Sequence, residues 1–151
     1  PETGSIAATL HYHPGVRAKL FTTWLNDAQL RRMHETEALG VNYDFGRLEG
    51  IHLEMDGVGE SDAVFAYIGR RGAFSQGGRP IALAEVAASG RQWPAMTQRQ
   101  IQRLARDRLS PGLELDRFIG ENIDRTDIRR DRTDRLAADA LAFSYTPFRV
   151  R

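Results

Sequence analysis

Short stretches of alternating apolar and polar residues dominate the first half of the chain and predict β-strands. Residues 5–12 have this pattern, and residues 16–24 have it again after a turn signal at 13–15. Two later strands are predicted over 48–55 and 63–68, and the second is a compact apolar run of the kind that is usually buried. The first half is therefore predicted to consist mainly of strands.

One helix is predicted within this half, because Asn26 is a favourable N-cap and Gln29 stands at the reciprocal position of a capping box. Its apolar pattern runs to about Glu37. From Thr97 onward helical periodicity takes over, and Gln100 completes a second capping box. Both boxes predict where a helix begins.

The helical pattern continues through a C-terminal portion, residues 97–143. A Pro-Gly pair at 111–112 ends its first helix, and two more helices are predicted over 113–123 and 124–143. No repeat or linker divides the chain. Residues 1–151 are therefore predicted to form one α+β domain, with a small mixed β-barrel or sheet and flanking helices.

The composition is that of a soluble globular protein, with 41% hydrophobic and 27% charged residues. Apolar runs are far shorter than the roughly 20 residues that cross a bilayer, so no membrane span is expected. The first residues lack the basic start and the apolar centre of a signal peptide. The chain has no cysteine, which excludes disulfides, thiolate nucleophiles and cysteine-based zinc sites. A cytoplasmic location is therefore expected.

The charge pattern does not favour a nucleic-acid partner. The net charge is +1, and the arginine-rich run 124–135 is interleaved with acidic residues. At helical spacing Asp127 meets Arg130 and Asp131 meets Arg135, so these charges are predicted to pair with each other. Interleaved acids repel phosphates, and no aromatic residue stands among them to stack on bases. We expect a solvated, ion-paired helix.

Glu37 is the candidate acid/base group. Leu30, Met33 and Glu37 lie at i, i+3 and i+7, which places them on one helix face. If that face meets the core, burial and the negative end of the helix dipole both raise the pKa of the Glu37 carboxyl, as a general acid/base requires. The alternative is an ordinary glutamate at the rim of the helix. His34 and Glu35 fall on other faces and are predicted to lie in solvent.

A wider motif surrounds Glu37. Residues 24–43 contain a leucine-bearing helix that ends in a glutamate and is followed by a tyrosine at the start of a strand. Gly-Ser-Ile-Ala-Ala-Thr-Leu at 4–10, Ala-Tyr-Ile at 66–68 and Ser-Gly-Arg-Gln-Trp-Pro at 89–94 accompany it. In their order and spacing these motifs resemble the γ-glutamylcyclotransferase family, in particular its longer bacterial branch, over about residues 4–118.

The resemblance implies a mixed β-barrel with helices and a reaction that needs neither metal nor cofactor. The free α-amine of a small γ-glutamyl substrate attacks its own γ-carbonyl, which gives 5-oxoproline and releases the attached amine or amino acid. Carried over to this chain, Glu37 moves the proton, and Tyr43 binds the substrate or orients Glu37. Trp93 and Arg91 are assigned to substrate binding. A cavity beside Glu37 is expected, and the alternative for Tyr43 is a core aromatic.

One feature of the family is missing from this chain. Members begin with a strand that ends in a Tyr-Gly-Ser-Asn type loop, whose backbone amides hold the γ-glutamyl group and its oxyanion. No Tyr-Gly pair occurs here. Since the chain begins at Pro1 rather than methionine, we expect the loop to lie upstream in a longer parent. The alternative is a fold without the pocket, a non-catalytic binding or scaffolding module.

Two other groups of residues could suggest a metal site or an anion site, but neither pattern favours one. His11 and His13 fall on one face of the first predicted strand, but no third metal ligand stands near them, so no metal site is predicted. The loop predicted over 70–80 carries three arginines that could attract an anion, although a solvated loop is the more common outcome. The run 81–86 is too short for periodicity to separate helix from strand.

Overall fold

A computed structural model describes residues 4–48, 54–55, 59–60, 64–141 and 146–147. Within these ranges the helices are α1 (Asp27–Thr36), α2 (Gln98–Leu109), α3 (Leu115–Asp124) and α4 (Thr126–Ala137). None of these four is both long enough and apolar enough to cross a membrane.

Both predicted capping boxes are confirmed. The Asn26 side chain accepts a hydrogen bond from the backbone N–H of Gln29 at 3.0 Å, and the Gln29 side chain accepts one from the backbone N–H of Asn26, also at 3.0 Å. Thr97 and Gln100 make the same reciprocal pair at the start of α2. Because each box satisfies backbone N–H groups that have no partner within the helix, local sequence decides where α1 and α2 begin.

The strands are short. They are β1 (Arg17–Ala18), β2 (Tyr43–Arg47), β3 (Glu54–Met55), β4 (Gly59–Glu60), β5 (Phe65–Gly69), β6 (Ser75–Gln76), β7 (Arg79–Pro80), β8 (Ala82–Leu83), β9 (Ala88–Ser89), β10 (Ala95–Met96) and β11 (Thr146–Pro147). The strand predicted over 63–68 is confirmed as β5. Most of the strand predicted over 48–55 lies outside the described residues. The loop predicted over 70–80 contains the β6–β7 hairpin, and the run 81–86 contains β8.

The described strands form five small sheets, and none of them closes into a barrel. The largest sheet has the order β11-β2-β5, in which β2 and β5 are antiparallel and pair along all five residues of each. β8 and β10 pair in parallel, and the other pairings are antiparallel. The mixed α+β architecture is therefore confirmed for the described part of the chain.

Buried apolar side chains lie in two places, at the β2–β5 sheet and among the helices α2 and α3. Helix α2 supplies Ile101 and Ala105, and α3 supplies Leu115 and Phe118. The full set of buried hydrophobic residues is Phe45, Leu48, Ile68, Ala73, Ile101, Ala105, Leu115 and Phe118. Burial of each of the larger side chains in this set stabilises the folded protein by about 1.5–3 kcal/mol.

The strand predicted over 5–12 is wrong. The backbone of this segment is bonded mainly to side chains: Gln98 of α2 both accepts from the N–H of Ile6 and donates to its C=O, at 3.2 and 2.8 Å. Gln102, one turn later, donates to the C=O of Gly4 at 3.0 Å. With the backbone groups of Ile6 satisfied in this way, the start of the segment lies beside α2, and no strand of the described residues pairs with it.

The strand predicted over 16–24 is also mostly wrong, because only β1 pairs, with β9. The residues after β1 are exposed, and Phe21 is completely so, while Trp24 is 70% exposed. Among the described residues only β9 pairs with this stretch, so no strand covers the apolar side chains that follow β1.

Helix α4 is shorter than the predicted 124–143 and less solvated than expected. The predicted ion pair between Asp131 and Arg135 is present at 3.6 Å, but Asp127 pairs with Arg125 rather than with Arg130. Arg132 is buried, with 7% of its surface exposed. Its guanidinium donates to the side chains of Asn122 and Glu121, so this helix is tied to α3 by a buried cation.

Candidate functional site

Helix α1 turns a different face to the protein from the one predicted. Leu30, His34 and Glu37, at i, i+4 and i+7, are the partly buried positions, whereas Met33 is exposed. Glu37 is therefore partly buried at the helix end, but the prediction that Met33 shares its face is wrong, and His34 takes that place. The expectation that His34 lies in solvent is wrong for the same reason.

A tight turn ends α1 at Glu37. The N–H of Leu39 bonds to the C=O of His34, and the N–H of Ala38 bonds to the C=O of Glu35, which is the pattern of a Schellman motif. Ala38 has a φ of 49°, a left-handed conformation that glycine usually occupies at this position. The backbone beside Glu37 is therefore held in a strained turn.

The β2–β5 pair carries four aromatic residues, Tyr43, Phe45, Phe65 and Tyr67, on the side that faces α1. Phe45 is directly opposite Tyr67, and Tyr43 is opposite Gly69. Since directly opposed residues share a face and side chains alternate along a strand, Tyr43, Phe45 and Tyr67 project to the same side of the sheet. Phe45 and Tyr67 have ring centroids 5.1 Å apart.

His34 packs onto this aromatic face. Its ring lies edge-on to Phe45 at 4.9 Å and to Tyr67 at 5.6 Å between centroids. A hydrogen bond of 2.6 Å joins His34 Nδ1 to the hydroxyl of Tyr67. His34 Nε2 is buried and has no hydrogen-bond partner among the described residues.

The Glu37 carboxylate contributes to the pKa values of two tyrosines, Tyr43 and Tyr67. Burial, and secondarily the Glu37 carboxylate, raises the pKa of Tyr43 above its usual value, and the same two causes raise the pKa of Tyr67. Both phenols therefore stay protonated at neutral pH and can donate hydrogen bonds near the carboxylate. We call His34, Glu37, Tyr43, Phe45 and Tyr67 the Glu37 cluster. Its chemistry is that of one carboxyl group with two neutral donors and an imidazole.

Arg70 holds the turn that follows Glu37. Its guanidinium donates to the C=O of Gly40 and lies 3.6 Å from the carboxylate of Asp44, and its backbone N–H bonds to the C=O of Asn42. Its neighbour Arg71 is paired with Asp134 at 3.1 Å. Two arginines of the predicted basic loop thus have acidic partners of their own, which weakens the case for an anion site there.

Trp93 and Arg91, predicted to bind substrate, form a separate group with His13. The Trp93 ring lies edge-on to His13 at 4.7 Å, and its indole N–H donates to the C=O of Pro80 at 2.9 Å. Arg91 donates to the C=O of Trp93 at 2.7 Å. No hydrogen bond or ring contact within the described ranges joins either residue to Glu37 or to Tyr43. A role for them in substrate binding stays a prediction.

The pKa of His11, in the N-terminal segment, is lower than that of an ordinary histidine. Burial lowers the pKa of His11, and the nearby His13 lowers it further. In the part of the chain that the structure describes, no three His, Cys, Asp or Glu side chains come together in a way that could hold a metal ion.

A small cavity of about 30 Å³ lies between the N-terminal segment and the helices α3 and α4. This volume has room for one or two water molecules rather than for a glutamyl group. Its lining includes neither Glu37 nor Tyr43 and consists of Gly4, Ser5, Ile6, Phe118, Asn122, Arg129, Arg132, Thr133 and Leu136.

Sequence reasoning found Glu37 and Tyr43 but missed the functional candidates His34 and Tyr67. The spacing of Leu30, His34 and Glu37 at i, i+4 and i+7 was an available signal, since it describes a helix face as well as the i+3 spacing does. Comparisons of this chain with protein-family models, with curated proteins and with solved structures found no match.

Proposed function

We propose that this protein is an enzyme of the γ-glutamylcyclotransferase type, which cyclises a small γ-glutamyl amine or amino acid to 5-oxoproline and releases the amine. The proposal rests on one observation: a half-buried carboxyl group, Glu37, stands at the end of a helix beside the two tyrosines Tyr43 and Tyr67. The motif that resembles the family places its acid/base glutamate at this same position.

The reaction requires the protein mainly to position the substrate and to transfer protons. The α-amine of the substrate attacks the γ-carbonyl carbon, so a C–N bond forms and the carbonyl becomes an oxyanion; the bond to the leaving nitrogen then breaks. Glu37 takes a proton from the attacking ammonium and returns one to the departing nitrogen, so its own charge is restored. Tyr43, a neutral donor beside it, hydrogen-bonds the substrate or the carboxylate.

The matched control for Glu37 lies two residues away on the same helix. Glu35 is exposed and paired with Arg32 at 2.8 Å. Glu37→Gln and Glu35→Gln therefore make the same chemical change at the same helix end, one inside the Glu37 cluster and one outside it.

The test is to incubate the natural full-length protein and both variants with a panel of γ-glutamyl amines and dipeptides and to measure 5-oxoproline. We expect Glu37→Gln to lose about 100-fold or more of kcat, as removal of a general acid/base does, and Glu35→Gln to match the wild type. Equal product from the wild type and Glu37→Gln would remove Glu37 from the mechanism.

A second candidate, a non-catalytic binding or scaffolding module, is favoured by the exposed apolar residues that precede α1. Phe21 and Trp24 leave large hydrophobic surfaces in solvent, and Leu20 is 45% exposed. The same assay separates the two candidates, because a module would yield no 5-oxoproline from any substrate of the panel.

A further inference from the structure

The cyclisation proposed above leaves one chemical need without an assigned residue. When an amine adds to an amide carbonyl, negative charge develops on the carbonyl oxygen, and this charge is stabilised by hydrogen-bond donors fixed in advance. Glu37 cannot serve, since an ionised carboxylate only accepts hydrogen bonds. A donor close to Glu37 that does not itself transfer the proton is required.

The Tyr67 hydroxyl has the properties of such a donor. It is held by a 2.6 Å hydrogen bond to His34 Nδ1, and its ring is packed against Phe45, so its oxygen has a defined position on the sheet face beside Glu37. Burial and the Glu37 charge raise the pKa of Tyr67, which keeps the hydroxyl protonated. A phenol that is fixed and neutral can give its proton to an oxyanion in a hydrogen bond.

Which partner donates in the His34–Tyr67 bond decides whether that proton is available. If Tyr67 donates to Nδ1, the imidazole proton sits on Nε2, which would be a buried N–H without an acceptor among the described residues. Buried N–H groups without a partner are rarer than buried acceptors without one. This difference favours His34 as the Nδ1–H tautomer, donating to the Tyr67 oxygen.

We infer that Tyr67 donates a hydrogen bond to the γ-carbonyl oxygen of the substrate and that His34 is the positioning residue that aims it. The hydrogen bond from His34 Nδ1 occupies a lone pair of the Tyr67 oxygen and leaves its O–H free to donate to another acceptor. A chain of two donors, imidazole to phenol to substrate oxygen, then meets the charge that forms during ring closure. This inference rests on the proposed function.

The first test compares Tyr67→Phe with Tyr12→Phe in the 5-oxoproline assay. Tyr12 is an exposed tyrosine outside the Glu37 cluster and serves as the matched control. We expect Tyr67→Phe to reduce kcat by about 100-fold while KM changes little, since the lost bond forms mainly in the transition state. A Tyr67→Phe enzyme with wild-type kcat overturns the inference while Glu37→Gln still tests the proposed function.

The second test separates positioning from simple packing at His34. His34→Leu fills space without a polar atom, whereas His34→Asn keeps an amide near the place of Nδ1. We expect kcat to fall by about tenfold or more in His34→Leu and to be largely restored in His34→Asn, with both variants folded by circular dichroism. Equal losses in two folded variants contradict a positioning role.

The third test does not depend on activity. Nitrogen chemical shifts of the His34 ring, recorded at a pH where imidazoles are neutral, report which nitrogen carries the proton. We expect the proton on Nδ1 in the wild type and a changed Nδ1 signal in Tyr67→Phe. A proton on Nε2 overturns the inference even if no substrate has been found.

Discussion

Two polar side chains that point inward from helices, His34 on α1 and Arg132 on α4, differ in how many hydrogen-bond partners they have. Arg132 donates to Asn122 at 2.8 Å, to Glu121 at 2.7 Å and to the C=O of Phe118 at 3.1 Å. Its guanidinium also lies 4.1 Å from the centroid of the Phe118 ring. His34 has one partner, Tyr67, and one buried nitrogen without any among the described residues.

This difference is the one expected between a stabilising network and the proposed site around Glu37. Each buried donor that lacks a partner costs stability, so the three hydrogen bonds of Arg132 fit a structural role for this cation. The Glu37 cluster instead combines an unsatisfied nitrogen, two neutral phenols near a carboxylate and a left-handed alanine. Strain and open hydrogen-bonding capacity of this kind gather at functional sites.

The largest effect is expected at Arg132. Arg132→Met removes the donor to Asn122 and to the C=O of Phe118 and one of the two arginine partners of Glu121, and we expect it to lower the free energy of unfolding by about 3 kcal/mol. Arg130→Met, on the exposed side of the same helix, should change it by less than about 0.5 kcal/mol. Urea unfolding of both variants measures this. Similar small losses in the two would mean that the network does not hold α3 and α4 together.

A smaller effect of opposite sign is expected at the end of α1. Ala38→Gly relieves the left-handed strain at φ 49° and should stabilise the protein by about 1 kcal/mol. Ala28→Gly, inside the same helix, should instead destabilise it by up to about 1 kcal/mol. Thermal unfolding of the two variants gives the signs. If Ala38→Gly is more stable but loses activity, the strain contributes to the position of Glu37.

The smallest effect concerns stability at alkaline pH. The folded-state pKa values of Tyr43 and Tyr67 are raised above 10.0, so their contribution to stability is complete below pH 10.0 and is lost as pH rises through the folded-state pKa values. Glu37→Gln removes the charge that is the second cause of both shifts. We expect this variant to lose less stability than the wild type as the pH rises above about 10.

Spectrophotometric titration of the tyrosines should show the same change directly. Both pKa values fall in Glu37→Gln but stay above the ordinary value, because burial, the larger cause, is untouched. Glu35→Gln is the control. Identical tyrosine titrations in the wild type and Glu37→Gln would show that the carboxylate is not near the phenols.

Elements set by neighbours in sequence could be predicted from the sequence, and elements set by distant partners could not. The capping boxes at Asn26 and Thr97 were predicted correctly because both members of each box lie within four residues. The segment 5–12 was mistaken for a strand because its partners, Gln98 and Gln102, lie more than 90 positions away. A pattern of apolar residues predicts that a segment is buried, but it does not identify the element that packs against it.

The candidate site likewise has some features that local sequence determines and others that only the tertiary structure determines. Amino-acid order alone determined that α1 begins after Asn26 and that a glutamate stands at its end, since capping and helical spacing act over a single turn. Only the tertiary structure decided which face of α1 meets β2 and β5. That choice joins His34 to Tyr67, 33 positions away, and sets both tyrosines beside Glu37. A rotation of a helix about its axis is fixed by the packing of side chains from several elements at once, and no local pattern contains that information.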